Sequence, residues 1–220
     1  MKLDKQEKKI FLMGVFQVML LALLFVGMNG SYYIHAIYNL PNETLIEWLQ
    51  SLALLITIVI FVLMYRKLED DRSGLALIAG FFGSMFFREQ DVYLNTETFP
   101  GWEICALFVL AAVFYIVYRR GIGEAVHGLA KFVSSGAFPL MAAGIAMLLV
   151  YSRLYGSGYL WSNIIIDTND EMHELLHKAK RMSEESTELL GYVLMMLSAF
   201  FYRYLRREDI KKLKSNKKNP

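Results

Sequence analysis

Residues 73–87 read SGLALIAGFFGSMFF, and the four that follow are Arg88-Glu89-Gln90-Asp91. This run of 15 apolar or small residues has the character of a helix in hydrocarbon, yet about 20 are needed to cross roughly 30 Å at 1.5 Å per residue. If the helix spans, Arg88, Glu89 and Asp91 lie in its outer third. A charge there is costly and requires protein or water around it. The partners of these three charges are therefore the first thing to seek in the rest of the chain.

The chain has 220 residues, of which 55% are hydrophobic and 20% charged, with a mean hydropathy of +0.35. The charges fall between long apolar runs instead of being spread through amphipathic patterns, which is a membrane signature. Six apolar segments are expected, at 10–29, 45–65, 73–94, 101–119, 136–155 and 184–204. The first is longer than the core of a signal peptide, about 7–15 residues, so it is expected to stay as a span. The fold class expected is all-α: a polytopic membrane helix bundle of six transmembrane helices.

Lys and Arg set the orientation, because cytoplasmic loops retain positive charge. With residues 1–9 inside, 18 of the 23 basic residues fall on inner segments, and five (Arg88, Arg153, Lys178, Lys180 and Arg181) on outer ones. Both termini are thus expected on the cytoplasmic side of a bacterial inner membrane. Trp48, Trp102 and Trp161 all fall at predicted outer ends, where amphipathic rings sit at headgroup depth. Of the 21 carboxylates, 13 lie on or near the outer face by this topology. Residues 1–210 are expected to form a single bundle and 211–220 a basic cytoplasmic tail attracted to anionic lipid; nucleic-acid binding is the weaker reading of that tail.

Other features narrow the chemistry. A single cysteine, Cys105, excludes an intramolecular disulfide and any CxxC motif. Residues 121–133 place Ile122, Ala125, Val126, Leu129 and Phe132 at helical spacing, and are expected to lie along the inner interface. Their glycines match no nucleotide-binding fingerprint. Thr168-Asn169-Asp170-Glu171 fits a capping box, and Gly191 is the only Gly or Pro from there to Arg207. One long helix is expected to start outside the membrane and to continue as the sixth span.

Polar residues recur at helical spacing toward the outer ends. Ala76, Gly80 and Ser84 form a small-residue stripe of which Arg88 is the next member. Glu47, Gln50 and Ser51 stand at i, i+3 and i+4, Glu103 opens the fourth segment, and Glu184, Glu188 and Gly191 share a face of the last. An outer binding pocket is expected from Glu47, Gln50, Arg88, Glu89, Asp91, Glu103, Glu185 and Glu188, roofed by 31–40 and the long fifth connection. The alternative is an ion-pair network that fixes helix register. As a pocket it would bind a small polar or cationic group, a lipid headgroup or a partner helix. A proton- or cation-coupled transporter is a third possibility, although the sequence has no inverted repeat.

His173-Glu174-Leu175-Leu176-His177 reads HExxH. On a helix the two histidines can hold one zinc while the glutamate acts as general base on its water, the chemistry of a metal-dependent hydrolase. A third ligand would have to come from Asp91, Glu103, His35 or Asp167, since Glu184 is about 10 Å along the helix from His177.

Taken together, Glu47-Trp48-Leu49-Gln50, Arg88-Glu89-Gln90-Asp91 and Glu184-Glu185 with Glu188 resemble a recurring layout in uncharacterised bacterial polytopic inner-membrane proteins. The resemblance implies a bacterial inner membrane and no particular activity.

Overall fold

A computed structural model of the chain describes residues 5–38, 42–96, 98–162, 170–207 and 209–210. Among them the fold is helical throughout, with one isolated extended contact between Thr96 and Phe99. The helices are α1 Lys5–Tyr38, α2 Asn42–Tyr65, α3 Arg72–Arg88, α4 Asp91–Leu94, α5 Gly101–Arg120, α6 Ile122–Val133, α7 Phe138–Ala146, α8 Ser152–Gly156, α9 Gly158–Ser162 and α10 Asp170–Leu205. A 3-10 turn, Glu69–Asp71, precedes α3, and a π-turn, Met147–Tyr151, joins α7 to α8. Three stretches are long and apolar enough to cross a membrane: Leu45–Tyr65, Gly101–Arg120 and Phe138–Gly156.

The helix boundaries depart from the sequence expectation in three places. First, α1 runs on through Gly27, Asn29 and Gly30 to Tyr38, so most of the expected 31–40 roof is helix. Glycine and asparagine weaken a helix by only about 1 kcal/mol or less each, and Pro41, the first residue that stops one outright, comes later. Second, 73–94 is not one helix. α3 stops at Arg88 after 17 residues, about 25 Å at the α-helical rise. The chain turns at Glu89-Gln90 before the single turn of α4. Tertiary partners take those two side chains, since the Tyr192 hydroxyl donates to Glu89 and Gln90 donates to Ser51. Third, the segment expected at 136–155 is helical only from Phe138 and carries the π-turn.

With neither Pro nor any Gly but Gly191 to interrupt it, α10 is continuous over 36 residues. It packs against α2, α7 and α8, while α3 packs against α2, α5 and α6. Close backbone approach sets both crossings. A Cβ on Gly144 would lie 2.6 Å from the Gly191 carbonyl oxygen, and one on Gly74 2.7 Å from the backbone of Gly128. The small-residue stripe of α3 meets α5, since a Cβ on Gly80 would lie 2.4 Å from Val113. Between the two helix groups Phe61 stacks on Phe82, and Phe132 meets Tyr202 edge-to-face at 4.8 Å. α6 buries Ala125, Gly128 and Phe132 against the bundle and turns Ile122, Val126 and Val133 outward. The face expected at a lipid interface is therefore divided between protein and surroundings.

Candidate functional site

Four elements bring polar side chains to one end of the bundle: the start of α2, the end of α3, α8, and the middle of α10. On α2 the i, i+3, i+4 spacing points Gln50 inward, where it is fully buried. Its Nε2 donates to the Glu185 carbonyl at 3.1 Å and to the Glu185 carboxylate at 3.0 Å. The other half of the amide, Oε1, is buried with no hydrogen-bond partner among the described residues. Glu47, one turn earlier on α2, and Glu89 and Glu188 lie within electrostatic range of Glu185.

Arg88 pairs with its neighbour Glu89 at 2.9 Å, and Glu89 also accepts from the buried Tyr192 hydroxyl at 2.7 Å. Glu188, within electrostatic range of Arg88, takes its hydrogen bond from another element. Glu188 accepts from the buried Ser152 hydroxyl at 2.7 Å, and Arg153 stands 3.8 Å from Glu188 and 3.9 Å from Glu184. The π-turn is what turns Ser152 toward α10, because the extra residue shifts the helical phase. Gly156 then lets Glu184 approach, its carboxylate lying where a Cβ would stand. A regular helix over 136–155 would not have suggested either contact.

Two residues expected in this pocket are exposed. Asp91 is exposed at the first position of α4, and Glu103 is exposed in the first turn of α5. The turn after Arg88 carries Asp91 off the helical face that the small-residue stripe predicted. Trp48 is exposed beside Tyr93, with ring centroids 6.4 Å apart.

His173, Glu174 and His177 are exposed on α10. Lys178 donates to Glu174 at 2.7 Å, and its charge holds that carboxyl below the ordinary carboxylate value. Among the described residues no three His, Cys, Asp or Glu side chains converge on a metal position. Of the remaining ligand candidates, Asp167 and the His35 side chain lie outside the described residues, as do Thr168 and Asn169 of the capping box and the 211–220 tail.

The opposite end of the bundle holds a second polar cluster that the sequence did not reveal. Asp71 is buried and accepts from Lys131 of α6 at 2.8 Å and from Arg206, which also binds Asp209 at 3.0 Å. A cavity of about 390 Å³ opens beside it, lined by Glu69, Asp70 and Asp209 among others. Nearby, Glu124 accepts from the Ser73 amide and hydroxyl and from Arg120. Burial works against the Glu124 charge, but these donors outweigh it and hold its pKa below the ordinary carboxylate value. Asp71 ends the acidic stretch Glu69-Asp70-Asp71, whose first two residues are exposed. The one hint was Lys131 on the polar face of an amphipathic helix.

Comparison with family models, with curated proteins and with solved structures gave no match to this chain.

Proposed function

We propose that the chain is a six-span protein of a bacterial inner membrane, with residues 1–9 and 211–220 in the cytoplasm, and that its Gln50 end faces outward and binds a small cationic group. The 18-to-five division of Lys and Arg supports the orientation. The observation that carries the binding proposal is the buried Gln50 Oε1, which accepts no hydrogen bond among the described residues. It belongs to the same amide that donates to Glu185, and Glu47, Glu89 and Glu188 surround that carboxylate electrostatically. A buried acceptor costs about 1–3 kcal/mol when unsatisfied. A protonated amine supplies both the missing donor and a charge of the right sign, whereas an anion supplies neither.

The test is calorimetric titration of ethanolamine and of methylammonium into the full chain in lipid nanodiscs. Binding is expected, and Glu185→Gln is expected to weaken it about ten-fold, as for the loss of one charge-assisted hydrogen bond of about 1.4 kcal/mol. Absence of binding by both amines would refute the proposal.

A further inference from the structure

Glu185, Leu189, Val193 and Met196 follow one another at i, i+4, i+8 and i+11 along one stripe of α10. The last three line an apolar groove of about 280 Å³, closed on one side by α2 through residues that include Ala53 and on the other by α1 through Leu23 and Gly27. Ala53 lies one turn after Gln50 on α2, just as Leu189 lies one turn after Glu185 on α10. By helix register the Gln50–Glu185 pair thus stands one turn from this lining on both helices. Gly27 faces open space, since a Cβ there would meet nothing within 4 Å.

A polar end that accepts a cation, one helical turn from an apolar groove, has the polarity of an amphiphile. Acidic side chains predominate at that end, but Arg88 and Arg153 also stand there. We infer that the ligand of this end is an ethanolamine phospholipid, its primary ammonium on Gln50 and Glu185 and one acyl chain in the groove under α1. This rests on the amine-binding function proposed above and names the class of molecule that brings the amine. Charge complementarity favours the ethanolamine headgroup over phosphoglycerol, which has no cation. Hydrogen bonding favours it over choline, whose trimethylammonium has no N–H to give to Gln50 Oε1.

The experiment is lipid exchange into the full chain in detergent, with melting temperature and the fluorescence of Trp48, two residues before Gln50, as readouts. Dioleoyl phosphatidylethanolamine, phosphatidylcholine and phosphatidylglycerol are compared, with ethanolamine as the chainless control. Phosphatidylethanolamine is expected to bind at least ten-fold tighter than the other two lipids. Glu185→Gln is expected to remove that preference. Gly27→Phe, at a groove-lining position where an added Cβ meets nothing within 4 Å, is expected to weaken the lipid about ten-fold and leave ethanolamine binding unchanged. Equal affinity for the three lipids, or no effect of Gly27→Phe, overturns this inference. Ethanolamine binding retained in that case leaves the amine pocket standing, and its loss removes both.

Discussion

Gln50 donates to both the backbone carbonyl and the side-chain carboxylate of Glu185, at 3.1 and 3.0 Å, so the start of α2 and the middle of α10 are tied at one depth. Removing a buried hydrogen-bonding partner costs about 1–3 kcal/mol, which for a chain of this size is roughly 2–4 °C of Tm per kcal/mol. Gln50→Leu is therefore expected to lower the detergent Tm by roughly 2–12 °C by those two scalings. With Glu185→Gln added, the loss should fall short of the sum of the single variants by about 0.5 kcal/mol or more, as contacting residues do. Full additivity would mean that the two residues do not act on each other.

Asp71 joins α6 to the end of α10 through Lys131 and Arg206. Breaking a fully buried pair costs about 3–5 kcal/mol, and partial exposure of Lys131, 34%, lowers the expectation. Asp71→Ala is expected to destabilise by about 2–3 kcal/mol, whereas Asp70→Ala, at an exposed acid next to it, should stay within about 0.5 kcal/mol. Thermal unfolding of both variants separates them. Equal losses would show that the acidic turn acts only through its net charge.

The α7–α10 crossing depends on two glycines, Gly144 and Gly191, each of which approaches the other's carbonyl oxygen too closely for a side chain. A Cβ on Gly191 would lie 2.9 Å from the Gly144 carbonyl oxygen and 3.3 Å from the Leu148 amide nitrogen. Gly191→Val is expected to cost at least about 1–3 kcal/mol by overpacking and to separate Ser152 from Glu188. Gly123→Ala, where a Cβ meets nothing within 4 Å, should instead gain about 0.5–1 kcal/mol of helix propensity. Melting curves of the two variants give the comparison.

Topology is read by reporter fusions. Those after Asp71, Arg120 and Lys218 are expected to report cytoplasm, and those after Asn42, Pro100 and Asn169 the outside, as positive-inside charge dictates. An outside signal after Lys218 rules out six spans.

The HExxH sequence is tested by metal analysis of the purified chain beside His173→Ala. With His173 and His177 exposed and Glu174 held by Lys178, equal metal content in the two is expected. Stoichiometric zinc that disappears in the variant, together with hydrolytic activity lost in Glu174→Gln while zinc remains, would establish the metal-dependent hydrolase instead.

Several features of the site were legible because they depend only on helical spacing. Glu47 with Gln50, and Glu184 with Glu188, recur at one turn, so the sequence places each pair on a common face of one helix. The partners across helices were not legible. Arg88 closes onto Glu89 and not onto Glu188, because the chain leaves the helix at Glu89-Gln90 to meet Tyr192 and Ser51, residues distant in sequence. Ser152 reaches Glu188 only because the π-turn alters the phase of that helix, and no residue type in Met147–Tyr151 announces such a turn.

By itself the sequence determined the helical class and its long apolar helices, since continuous apolar runs without proline satisfy their peptide groups internally wherever water is excluded. The tertiary structure decided which polar groups meet, that Asp71 is buried, and that α1, α2 and α10 enclose an apolar groove. Periodicity states which way a side chain leaves its own helix. What it then meets depends on the rotation, depth and closeness of the neighbouring helix, and these are set here by glycine crossings and helix breaks whose effect lies between elements.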